Sequence, residues 1–158
     1  MHIYTVSFFG HRVLRSPFAV ESVLEEMILR LLREEEYVEF LLGRNGDFDL
    51  LCASVIRRCR NAVGGDNSAM ILVLPYETAE YKHDLPALLN YYDEVQICEE
   101  ASQAHFRAAL TVRNQAMIDR SDLVIGCVEH DSGGAYRAMR YAKTRGAAWI
   151  NLASLIHA

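Results

Sequence analysis

The chain has 158 residues, 51% of them hydrophobic, and a formal net charge of −5 at pH 7. That length suits one domain with a sizeable core, and the acidic balance excludes a general electrostatic attraction to nucleic acid or an anionic membrane, leaving only a local basic patch open. No apolar run approaches the roughly 20 residues of a membrane span, and "MHIYTVSFF" lacks the basic start and small-residue cleavage site of a signal peptide, so the expectation is a soluble, cytoplasmic protein.

"HIYTVSFF" reads as a first strand. Pro17 then suits the first turn of a helix, with Ser16 as its cap, and Val20, Val23, Leu24, Met27, Ile28, Leu31 and Leu32 follow at amphipathic spacing over residues 18–36. "YVEFLLG" (37–43) is a second short strand, and "DFDLLCASVIRRCRNAV" (47–63) returns to helical period. "AMILVLP" (69–75) is a continuous apolar run, as for a strand buried on both faces. Residues 76–93 read as a loop with a short helix near "LPALLNYY", and "EVQIC" (94–98) as a weak strand. A long helix from about Ser102 to Arg120, the buried strand "DLVIGCV" (122–128), a helix over 135–145 ended by Gly146 and a last strand "AAWINL" (147–152) complete the chain. This alternation predicts an α/β fold: one domain, Rossmann-like, with a mostly parallel sheet and helices on both faces.

In such folds ligands lie at the carboxyl ends of the strands, and three strand-to-helix junctions there carry glycine: "GHR" (10–12), "GRNGDFD" (43–49) and "HDSGGA" (130–135). Glycine lets a backbone approach a ligand closely, and a helix N-terminus offers unpaired N–H groups to an anion. Arg12, directly after Gly10 and His11, is either a two-pronged partner for a phosphate or carboxylate or a solvated arginine. His11 either contacts a ligand or satisfies the turn's own backbone. Asp47 and Asp49 open a helix, where the dipole favours a carboxylate; Asp49 is also a candidate for a ribose hydroxyl. In "RNQAMIDRSD" (113–122), Arg113 and Asn114 sit on an otherwise apolar helix and require partners if buried. They either bind a ligand or lock the helix to a loop.

Other chemistry lacks its residues. Cys52, Cys59, Cys98 and Cys127 form no CxxC pair and the histidines no HExxH, which argues against a metal site. There is no Walker A loop, no GxGxxG and no GxSxG elbow.

Taken together, "FFGHR", "GRNGDFD", "VLPY", "RNQAMIDRSD" and "SGGAYRAMRYAKTRGAAWINL" resemble the YpsA/YoqJ-like branch of the SLOG superfamily, which also contains the Lonely-guy phosphoribohydrolases and DNA-processing protein A. The resemblance implies a nucleotide-binding sheet whose first loop offers Gly10, His11 and Arg12 and whose second offers Gly43, Gly46 and Asp49. The helix motif adds Arg113, Asn114 and Asp122, and the last loop Ser132, Gly133 and Gly134. It also implies a homo-oligomer. The Lonely-guy signature PGGxGTxxE is not kept: Ser132 replaces its proline and Arg140 its catalytic glutamate.

The expectation is therefore a non-catalytic module that senses a nucleotide or nucleotide-derived small molecule of the AMP, ADP-ribose or NAD type, with no nucleic-acid partner. The alternatives are a hydrolase of a nucleotide N-glycosidic or phosphate bond and an interaction subunit with a vestigial pocket.

Overall fold

The structure, a computed structural model, describes residues 1–156. Six strands, β1 (Ile3–Gly10), β2 (Tyr37–Leu42), β3 (Ser68–Leu74), β4 (Glu94–Ile97), β5 (Leu123–Cys127) and β6 (Ala148–Asn151), form one sheet in the order β4-β3-β2-β1-β5-β6. Every pairing is parallel. The helices are α1 (Pro17–Glu34), α2 (Asp47–Val63), α3 (Ala79–Tyr91), α4 (Glu99–Gln103), α5 (Phe106–Asp119), α6 (Gly134–Thr144) and α7 (Leu152–Ile156).

The two-residue period of the strands divides the core between the sheet's faces. Val6, Phe8, Phe40, Leu42, Met70 and Leu72 pack against α1 and α2, and Phe9, Leu41, Ile71, Val73 and Val124 pack against α5 and α6. On α1 the stripe Val20, Leu24, Ile28 and Leu32 is buried, each side chain contributing about 1.5–3 kcal/mol relative to exposure. Among the described residues no helix is long and apolar enough to cross a membrane.

Several elements differ from the sequence reading. Residues 79–91 are helical, because Thr78 accepts from the Tyr81 N–H at the start and the non-helical Asp84 (φ −129°, ψ 27°) divides the helix. Pro86 thereby falls in a new first turn, where its missing N–H costs little. The single long helix over 102–120 is instead α4 and α5, separated at Ala104, whose ψ of 163° is extended. His105 restarts the helix by accepting from the Arg107 N–H at 3.2 Å. Ser16 makes no side-chain cap bond; Pro17 alone marks that helix start. The short α7, which buries Leu152 and Ala153, follows β6 without a loop.

This topology positions the site. β1 leads outward to β2 and β3 on one side, whereas the chain returns across the sheet to lay β5 on the other side of β1. The crevice above the carboxyl ends of β1 and β5 is the switch point of the sheet, where open α/β folds bind ligands.

Candidate functional site

A cleft of about 440 Å³ lies at that switch point. β1 and the loop after it supply Phe9 through Val13, the start of α2 supplies Asn45 and Asp49, and α5 supplies Leu110, Arg113 and Asn114. The loop after β5 and the first turn of α6 close the remaining side with His130, Gly133, Gly134, Ala135 and Arg137.

The candidate glycines divide into two kinds. A Cβ on Gly10 would run into the ring of Phe48, and one on Gly46 would lie 2.5 Å from the Arg12 Cα. A Cβ on Gly43 would meet Nη1 of Arg113 at 2.7 Å. These positions are glycine because the protein's own atoms fill the space. Gly43 and Gly46 accordingly lie behind the lining rather than in it, which corrects the expectation that both loops present glycine to a ligand. At Gly133 and Gly134 nothing lies within 4 Å of where a Cβ would stand, and Gly133 has φ +94°, so here glycine leaves the N-terminus of α6 open to the cleft.

The floor is a buried polar cluster. Arg113 is 3% exposed and donates from Nη1 to the Val73 carbonyl at 3.0 Å, and from Nε and Nη2 to Oδ1 of Asn114 at 3.1 and 2.6 Å. Asp49 accepts the Asn45 N–H at 2.9 Å. Burial pushes the Asp49 carboxyl up, opposed by the Asn45 hydrogen bond and by Arg113. Burial likewise pulls Arg113 down, with Asp49 acting the other way. The pairing that the sequence left open is thus internal for the Arg113 guanidinium.

The mouth is held by histidine. The Nε2 atom of His11 accepts the Glu129 N–H at 3.1 Å, which puts the neutral ring's proton on Nδ1. The ring stacks on His130 with centroids 3.6 Å apart and planes 11° from parallel. His11 therefore ties the β1 loop to the β5 loop. Burial and the neighbouring His130 lower its pKa, and Glu129 opposes them. Arg12 and Arg137 are exposed, line the cleft, and their side chains make no hydrogen bond or ion pair among the described residues. Arg15, on the same loop, reaches only to within 3.8 Å of Glu129.

Two more candidates lie outside the lining. Asp122 accepts the Thr5 N–H at 2.8 Å and is exposed just before β5, at the amino edge of the sheet. This is a correction: the strand's length carries Asp122 away from the cleft, where it closes the β1–β5 pairing. Ser132 is exposed on the β5 loop but outside the lining. In the second loop, Arg44 is engaged by Glu80 and Tyr92, at 2.8 and 3.0 Å, and Asp47 accepts the Leu14 N–H. Among the described residues no three His, Cys, Asp or Glu side chains are placed to hold a metal ion. All four cysteines are free and buried, and burial takes the Cys127 thiol to about 11.

Sequence reasoning missed His130 and Arg137. Arg137 stands three residues after the first residue of α6, on the first turn, which the motif "SGGAYR" already placed beside the glycines. His130 heads the junction "HDSGGA", but nothing in the sequence signals its stack on His11. Phe9, Leu110 and Ala135 add apolar wall.

No protein-family model matches the chain, and no curated protein matches it by sequence. Solved structures do. DNA processing protein A from Helicobacter pylori, described for its single-stranded DNA binding mode, superposes with a TM-score of 0.64 at 14% identity, over 92% of this chain and 63% of that one. DNA processing protein A from Streptococcus pneumoniae superposes with a TM-score of 0.53 at 12% identity, over 96% of this chain and 60% of that one. The fold is the Rossmann-like one of those proteins, and the chain spans less than two thirds of their length. These neighbours overturn the expectation of a small-molecule nucleotide sensor with no nucleic-acid partner. That expectation averaged charge over the whole chain, whereas Arg12 and Arg137 concentrate it at one cleft. The long-range field of the remaining acidic surface is screened beyond about 10 Å at ordinary salt.

Proposed function

We propose that the chain binds single-stranded DNA across the cleft at the carboxyl ends of β1 and β5. The observation that carries this reading is the pair Arg12 and Arg137, two exposed guanidinium groups on either side of one crevice, without partners among the described residues. Each offers a two-pronged contact to a backbone phosphate, and the open N-terminus of α6 adds N–H groups to the same anion. Single-strand sites combine such a cationic track with surfaces on which bases stack. The His11–His130 stack supplies one, and the exposed Phe18 and Phe106, at the N-terminal ends of α1 and α5, rise from the same edge of the sheet. The likeness of fold to a protein with a single-stranded DNA binding mode supports the reading. The order of the sequence motifs supports a place in the YpsA/YoqJ-like branch of the SLOG superfamily.

Fluorescence anisotropy with a labelled oligothymidine of about 20 nucleotides, a duplex of equal length and AMP as competitor tests the proposal. Single strands should bind in the range of sequence-independent sites, roughly 10⁻⁴–10⁻⁶ M at physiological salt, and more weakly as salt rises. The duplex should bind less tightly, and AMP should compete poorly. Absence of strand binding at low salt would defeat the proposal.

A further inference from the structure

Two polar atoms on the cleft floor are left without partners among the described residues. Asn114 is 7% exposed. Its Oδ1 takes two N–H groups of Arg113, and that fork fixes the amide so that Nδ2 points away from the guanidinium. Nδ2 donates to no group among the described residues. Asp49 is 8% exposed; Oδ2 accepts the Asn45 N–H, and Oδ1 has no hydrogen bond among the same residues. Of the fully enclosed side-chain polar atoms among the described residues, the only one without a partner is Oγ of Ser68. Nδ2 of Asn114 and Oδ1 of Asp49 are not among these enclosed atoms, and both residues line the cleft. A largely desolvated donor and acceptor on one cleft floor are costly unless something pairs with them.

We infer that the floor takes the Watson–Crick edge of one unpaired base, with Asn114 Nδ2 donating to a ring nitrogen or carbonyl and Asp49 Oδ1 accepting from the adjacent N–H. The inference rests on the strand-binding reading above. Each base offers such a neighbouring pair: N6–H and N1 of adenine, N4–H and N3 of cytosine, N1–H and O6 of guanine, N3–H and O4 of thymine. In a duplex that edge is already occupied, so the floor selects for single strands. Charge sets the polarity of the ligand. On the floor the Asp49 carboxylate is offset by the buried Arg113, while Arg12 and Arg137 at the mouth are free to draw phosphate there. Phe9 and Leu110 give the base apolar wall, and about 440 Å³ accommodates one nucleotide.

The test compares a DNA oligonucleotide with one of equal length whose units are abasic tetrahydrofuran, which keeps the phosphates and removes the bases. Two near-isosteric variants are used. Asp49→Asn can still accept the Asn45 N–H but turns a donor to the cleft; Asn114→Asp can still accept from Arg113 but turns an acceptor to it. Electrostatics alone would move them oppositely, since one removes a negative charge and the other adds one. Loss of base recognition moves both the same way. The wild-type protein should prefer the base-bearing strand by about tenfold or more, in the range of a two-point base contact, and both variants should lower that ratio by about tenfold. Abasic-strand binding reports that each variant is folded. Ratios unchanged in both variants would overturn the base slot alone. Failure of the wild-type protein to bind either strand would overturn the strand-binding reading, and the base slot with it.

Discussion

Gly43 and Arg113 compete for the same space: a Cβ on Gly43 would sit 2.7 Å from Nη1 and 3.0 Å from Nη2 of Arg113. The guanidinium can lie over the sheet edge and reach the Val73 carbonyl only because residue 43 has no side chain. Gly43→Ala should displace Arg113 from two buried acceptors. A loss of about 1–3 kcal/mol in urea unfolding is expected, as for other overpacked buried sites. Unchanged stability would mean that Arg113 has another place to go.

The glycines of the last loop should behave differently. Gly133 has φ +94° and ψ 174°, a region almost closed to other residues, so Gly133→Ala should cost about 1–3 kcal/mol through the backbone alone. Gly134 opens α6 with nothing within 4 Å of a Cβ. Gly134→Ala should stay within about 0.5 kcal/mol of the parent protein in a thermal melt, yet weaken strand binding, because its methyl group enters the cleft. A variant that melts early and binds normally would contradict this.

His11 makes the loop connection depend on pH. Its pKa is lowered from 6.5 in the folded protein, chiefly by burial. Below 6.5 the unfolded chain therefore takes up a proton that the folded chain does not. The contribution to stability is full above about pH 6.5 and is lost as pH falls from there through the folded-state value. Protonation also removes the acceptor for the Glu129 N–H. His11→Gln should flatten this part of the melting-temperature profile between pH 7 and 5, and an NMR titration of the His11 ring should give a midpoint under 6.5.

The salt dependence of binding should count the arginines. Each phosphate contact on a single strand contributes a slope of about 0.7 in log K against log salt. Arg12→Ala and Arg137→Ala should each lower the slope by about that amount and weaken binding by roughly 1.5–3 kcal/mol. Folding stability should barely change, since neither side chain is buried. Arg12→Lys should recover only part of the loss, because an ammonium lacks the planar fork.

The sheet was legible because strands buried on both faces read as uninterrupted apolar runs, as in "SFF", "FLL", "LVL" and "VIG". The break at Ala104 was not, because no glycine or proline interrupts the helical period there, and the cap comes from a histidine ring. At the site, Arg12 and the Gly133–Gly134 pair stood out by residue type beside a strand end, and Arg113 by its charge on an otherwise apolar helix. What they contact was not. The packing role of Gly10 depends on Phe48, far along the chain, and the role of His11 on His130, which only the β1–β5 pairing brings together. Asp122 was grouped with the cleft because its motif also contains Arg113, although a helix of about 1.5 Å rise per residue carries the two to opposite edges. Net charge misled most, since it is a sum and binding depends on where the charges lie.

Photo-crosslinking with an oligonucleotide carrying 5-iododeoxyuridine, followed by mass spectrometry of the linked peptides, tests most directly whether the cleft holds the strand. Links are expected only on the peptides spanning residues 9–13, 105–110 and 130–137, and should be lost in an Arg12→Ala, Arg137→Ala double variant. Links concentrated at the opposite edge of the sheet, around Arg57 and Arg60 at the end of α2, would contradict that placement.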